Sequence, residues 1–201
     1  MHVRLSALIL SATLMTPFVT SAAATPISYS ESASGDLGSS LPAPTVFALD
    51  VGVNTISGTN AFTTLVDDRD SFAFSVPAGM QLTSISYSFR STAAASITNF
   101  VRYILDNNNA IPVPPFLGDQ TVRLGLDVSP LVMFASAVPL GAGTYGISDD
   151  THGRDPVGWT NNYTWSLTVA ATATEVPEPA SLLLLATGVA GVSAKMRRRR
   201  R

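Results

Sequence analysis

The chain has 201 residues, 46% of them hydrophobic, with a formal net charge of −2 and no cysteine. That length allows one ordinary domain with appendages, and the absence of thiols excludes disulfides and thiolate metal sites. The small net charge hides an asymmetry: residues 25–176 hold 13 Asp and Glu against 5 Arg and no Lys, so 5 − 13 = −8, a balance that repels nucleic acid and attracts cations.

The first 24 residues begin with the basic His2 and Arg4, run through a largely apolar stretch from Leu5 to Val19, and end on Ser21, Ala22, Ala23 and Ala24. Small side chains at Ala22 and Ala24 form an Ala-x-Ala site of the kind a signal peptidase accepts, which predicts removal of residues 1–24. Residues 25–44 are rich in Ser, Ala, Gly and Pro and read as a flexible arm or an irregular first strand.

From Thr45 the apolar pattern has a period of two. Phe72, Phe74 and Val76 share one face of Asp70–Val76; Ile85, Tyr87 and Phe89 share one face of Gln81–Arg90; Tyr163, Trp165, Leu167 and Val169 share one face of Tyr163–Val169. Alternation of this kind marks half-buried strands. Further strands are expected at Thr45–Val51, Asn54–Ser57, Ser96–Leu105, Thr121–Val128, Leu131–Ala137 and Thr144–Ser148. Turn-forming residues separate them at Pro77-Ala78-Gly79, Asp106 to Asn109, Gly118-Asp119 and Gly141-Ala142-Gly143. Nothing between Thr25 and Val176 sustains a helical apolar period for three turns. Residues 45–175 are therefore expected to form an all-β domain, an antiparallel β-sandwich of jelly-roll type.

Two acidic groups interrupt the β pattern. Asp67, Asp68 and Asp70 lie at the start of a strand, with Arg69 among them, and Asp149, Asp150 and Asp155 surround His152 after a glycine-rich turn. Hard oxygen donors this close in sequence can share a calcium ion. They also serve as turn caps and as a solvated loop, and those simpler readings are favoured here. His152 is the one histidine beyond residue 24, which rules out a multi-histidine zinc centre. No Gly-x-Ser-x-Gly elbow surrounds any serine. The only Glu residues of the mature segment, Glu31 and Glu175, stand near its ends, so a glutamic acid set in a cleft is not expected. Trp159, in a loop, is the candidate for stacking on a sugar ring, whereas Tyr163 and Trp165 belong to an apolar strand face and are assigned to the core.

The chain closes with Val176-Pro177-Glu178-Pro179, an apolar stretch from Ala180 to Ala194, and a basic cluster of Lys195, Arg197, Arg198, Arg199, Arg200 and Arg201. Fifteen helical residues reach about 22 Å, short of a hydrocarbon core of about 30 Å unless the flanking cations snorkel. A basic cluster directly after an apolar segment stays on the cytoplasmic side and acts as a stop-transfer signal, so the rest of the chain faces outward.

This combination over residues 176–201 resembles the PEP-CTERM sorting signal of Gram-negative bacteria. The resemblance implies an exosortase that processes the chain near Pro177-Glu178-Pro179 after transient anchoring in the inner membrane, and an association with exopolysaccharide or biofilm matrix. A second resemblance spans about Leu49 to Val169. Gly52-Val53-Asn54-Thr55-Ile56-Ser57-Gly58, Asp68 to Gly79, Gly141-Ala142-Gly143-Thr144-Tyr145 and Tyr163 to Val169 look like the bacterial pre-peptidase C-terminal type of domain. That implies a small β-sandwich of accessory or matrix-binding kind, at times holding calcium. The sequence thus leads to an exported, non-enzymatic surface or matrix protein without an obligate cofactor. A calcium-assisted carbohydrate-binding module and a secreted hydrolase are the alternatives.

Overall fold

The computed structural model describes residues 25–38, 44–63, 65–107, 116–153 and 158–172. The signal segment, the Pro-Glu-Pro tail with its expected membrane helix and basic cluster, and Asp155 lie outside the described residues. Among the described residues no helix is long and apolar enough to cross a membrane.

Among the described residues, eleven strands and one helical turn follow one another as β1 (Ser28–Ser30), α1 (Glu31–Ser34), β2 (Thr45–Ala48), β3 (Gly52–Phe62), β4 (Asp67–Asp68), β5 (Ser71–Val76), β6 (Met80–Ser91), β7 (Phe100–Asp106), β8 (Gly118–Arg123), β9 (Leu131–Met133), β10 (Gly143–His152) and β11 (Trp159–Ala171). They build two sheets. One has the order β1-β3-β11-β6-β9, with β4 also paired to β3; the other has the order β2-β5-β10-β7-β8. The protein is all-β, as its period-two pattern requires.

The expectation of purely antiparallel sheets needs correction, because β1 runs parallel to β3 and β2 runs parallel to β5. Both strands come from the segment preceding β3, and each is the terminal strand of its sheet, where pairing on one side only leaves either direction open to it. The remaining pairings are antiparallel.

Strand ends depart from the sequence pattern where a side chain captures the backbone. β8 stops at Arg123 because its amide donates to Asp127 Oδ2 at 2.7 Å and folds residues 124–127 into a turn. β7 starts only at Phe100, since the Asn99 amide group donates to the Ala94 carbonyl and holds the preceding loop. After Pro77-Ala78, Gly79 takes φ 76° and the Met80 amide donates back to the Pro77 carbonyl, a turn for which glycine carries no steric penalty.

Side chains from both sheets meet in one core. Trp165 on β11, 1% exposed, packs edge-on against Phe72 of β5 and Tyr103 of β7 in the opposite sheet, and against Tyr87 of β6 in its own. Burying an indole of this size removes roughly 150–250 Å² from water, about 4–6 kcal/mol at 25 cal/mol per Å². Tyr163 and Trp165 are thus core residues, and the inward face of β11 continues through Leu167 and Val169.

Candidate functional site

The inward face of β3 and β11 is not wholly apolar. Asn60 and Asn161 are register partners on these strands, both fully buried. Asn161 Nδ2 donates to Asn60 Oδ1 at 3.0 Å and to the Tyr87 hydroxyl at 2.8 Å; Asn60 Nδ2 donates to the Tyr103 hydroxyl at 3.2 Å and to Asp149 Oδ2 at 2.9 Å. The Tyr87 and Tyr103 hydroxyls are 2.7 Å apart, and His152 Nε2 lies 2.5 Å from Asp149 Oδ2. His152 Nδ1 is 2.8 Å from Asp67 Oδ1. A polar chain therefore crosses from one sheet to the other through the core. Most of its polar groups are joined to each other, which offsets the cost of burying them, while Asp149 Oδ1 and Asn161 Oδ1 are buried without a hydrogen-bond partner. Burial raises the Tyr87, Tyr103 and Asp149 pKa values, and the His152 contact partly opposes the rise at Asp149.

This arrangement limits what His152 can do chemically. Nε2 is engaged by Asp149, Nδ1 lies 2.8 Å from Asp67 Oδ1 but out of hydrogen-bond alignment, and the ring is buried, so neither nitrogen is presented at the surface to a substrate. The ring serves to hold Asp67 of β4 and Asp149 of β10 together.

The residues read together in the sequence are separated in space. Asp149 points into the core, whereas Asp150 is partly exposed and bound by Arg102 Nη1 at 3.0 Å, because neighbouring strand residues face opposite sides. Asp67 turns to Arg69 Nη2 at 2.6 Å, and this hydrogen bond holds its carboxyl below the usual range. The Arg69 guanidinium also donates to the Asp150 carbonyl, a clamp from β4 to β10. Asp70 leaves this group altogether and accepts from the Tyr163 hydroxyl at 2.8 Å. Trp159 is not available as a sugar platform. It is 3% exposed, packed 4.8 Å from the His152 ring and 6.3 Å from Phe62, with its indole nitrogen directed at the Gly153 carbonyl.

A second acidic group is one the sequence pattern does not reveal. The turn α1 ends at Gly35, with φ 99°, and the chain folds back so that Asp36 and buried Leu37 follow. Glu31 Oε1 accepts from the Leu37 amide at 3.1 Å and Glu31 Oε2 accepts from the Thr59 amide at 2.7 Å, which fixes the arm against β3. One carboxylate oxygen from each of Glu31, Asp36 and Asp70 lies within 4.8 Å of the other two. Gly58 makes this approach feasible: a Cβ there would sit 2.3 Å from Glu31 Oε2 and 2.5 Å from the Tyr163 hydroxyl. Burial, and next the charge of Glu31, push the Asp70 pKa up to about 8. Burial followed by the charges of Asp36 and Glu31 raises Asp68 as well. Only the pairing of β1 with β3 brings the arm's carboxylates to Asp70, so no local spacing could announce the group.

Comparison with known proteins bears on a different part of the chain. Residues 175–200 match the family model of the PEP-CTERM protein-sorting motif. This chain carries a PEP-CTERM sorting signal. The signal marks an exported protein that an exosortase processes, with membrane anchoring before arrival at the cell surface as the general course. No curated protein matches the chain significantly. Among solved structures, the crystal structure of Salmonella Typhimurium PliG, a periplasmic lysozyme inhibitor of g-type lysozyme, aligns at 11% identity. The alignment covers 64% of this chain and 100% of that one with a TM-score of 0.28, too loose a likeness to carry an argument.

Proposed function

We propose that this chain is a non-enzymatic protein of the cell surface or extracellular matrix, and that its PEP-CTERM tail rather than its β-domain decides where it resides. The carrying observation is the motif match over residues 175–200. The preceding export step is a signal peptidase cut after Ala24. In the inner membrane, the apolar stretch after Pro179 stalls export and the Lys195 to Arg201 cluster holds its end in the cytoplasm. Two prolines around Glu178 carry no backbone N–H to donate to a strand, which suits this segment to recognition by a membrane-embedded exosortase. Exopolysaccharide or biofilm matrix is the setting that the signal suggests.

The β-domain supports a structural role through its geometry. Its single imidazole is committed to two carboxylates, and its best aromatic candidate for a sugar is buried. We also read the domain as a jelly roll. What supports this is the order of eight strands: β3-β11-β6-β9 in one sheet and β5-β10-β7-β8 in the other, with consecutive strands crossing between sheets at most steps.

Replacing Pro177, Glu178 and Pro179 by alanine tests the assignment. The expected outcome on cell fractionation is retention of the variant in the inner membrane with the β-domain still folded. Delivery to the surface or medium in wild-type amount and size would overturn it.

A further inference from the structure

We propose that Glu31, Asp36 and Asp70 form a calcium site that fastens the N-terminal arm to the β-domain. The inference does not depend on the sorting assignment. Calcium binds oxygens at roughly 2.3–2.6 Å, so two ligands of one ion stand at most about 5 Å apart. One oxygen from each of the three carboxylates satisfies that limit against both others.

The second observation concerns Asp70. This side chain is 4% exposed, and while Tyr163 donates to Oδ2, its Oδ1 is buried with no hydrogen-bond partner. A buried carboxylate oxygen without a donor is costly. Among the described residues no ion pair brings a cation to it: Arg69 pairs with Asp67, Arg102 pairs with Asp119 and Asp150, and His152 contacts Asp67 and Asp149. The ionisable neighbours of Asp70 include Glu31, Asp36, Asp68, Asp149, Tyr29 and Tyr163, none of them basic. The missing side chain of Gly58 is what lets the Glu31 carboxylate and the Tyr163 hydroxyl come this close to the β3 backbone.

The donor set favours calcium over magnesium. All the donors are hard oxygens, and they come from two separate segments, the arm and the start of β5. Calcium accepts such loose geometry and completes its shell with water, whereas magnesium demands near-octahedral ligands at about 2.0–2.1 Å. Calcium modules that work outside cells bind at about 10⁻⁴–10⁻³ M, the strength that three carboxylates, one of them solvent-exposed, are expected to reach.

Thermal unfolding of the purified full-length protein in detergent, freed of metal by chelator and then given calcium alone, tests the site. Magnesium serves as comparator, and Asp127→Asn, at a turn away from the cluster, serves as control. About 5 mM calcium is expected to raise Tm by roughly 3–6 °C in the wild type and in the control, with magnesium giving less than half of that. Asp36→Asn, at an exposed position, is expected to remove at least half of the calcium response while melting no lower than the wild type in chelator, since it takes away like-charge repulsion. Asp70→Asn should abolish the response. No wild-type shift by about 10 mM calcium, an equal shift with magnesium, or a full shift retained in Asp36→Asn would overturn the proposal. Should Asp70→Asn fail to fold, Asp36→Asn decides alone.

Discussion

Two acidic neighbourhoods meet at the segment Asp67 to Asp70, and they handle burial of charge in opposite ways. On the β10 side, Asp67 and Asp149 are bridged by His152, and Asp67 has Arg69 as well. On the arm side, Asp70 faces Glu31 and Asp36, and among the described residues no basic group pairs with it. The same residue type, within a few positions, is a staple in one place and a source of strain in the other. What differs is the partner: a buried carboxylate is tolerated when a fixed donor or cation meets it, and otherwise it takes up a proton or an ion.

Removing the bridge on the β10 side should have the largest effect. His152→Ala leaves Asp149 buried beside Asn60 alone and is expected to destabilise the domain by about 3–5 kcal/mol, measured by chemical denaturation. A loss under about 1 kcal/mol would show that the two sides do not differ as described.

On the arm side, Gly58→Ala places a methyl group where the Glu31 carboxylate and the Tyr163 hydroxyl converge. A cost of about 1–3 kcal/mol is expected, together with faster proteolysis of residues before β2 as the arm loses its anchor.

The smallest effect per step is a pH slope. Asp70 has a folded pKa of about 8 against roughly 3.9 when unfolded. Between those values the folded state holds a proton that the unfolded state has lost, so this group's stabilising share is full below pH about 4 and is lost as pH rises towards 8. In chelator, stability should fall by up to about 1 kcal/mol per unit across that window. Asp70→Asn should flatten the slope. Asp67, whose pKa is lowered, contributes in the other direction, and Asp67→Asn should instead weaken the loss seen on acidification below pH 4.

The period-two strands were legible because Phe72, Phe74, Val76 and Tyr163 to Val169 each fill one face, and that pattern has few other solutions. The arm's strand β1 was not, since Ser28, Tyr29 and Ser30 are too few to set a pattern and pair only with β3. The grouping of Asp67, Asp68 and Asp70 was drawn from proximity along the chain, but a strand sends neighbours to opposite sides and Asp70 to a different partner. Trp159 looked exposed because glycines and a proline precede it, yet β11 begins at that residue and turns its ring inward. The tail was legible as a motif because its information is linear: a short peptide, an apolar stretch and a cluster of arginines, none of which needs a fold to be read.

That linear signal carries the central claim, and its processing is directly measurable. Mass spectrometry of the protein recovered from the cell surface or medium should show a chain that begins at or near Thr25 and ends near Val176 to Pro179, without the apolar stretch or the arginines. A surface form that keeps Arg197 to Arg201 would contradict sorting by exosortase and leave the tail an ordinary membrane anchor.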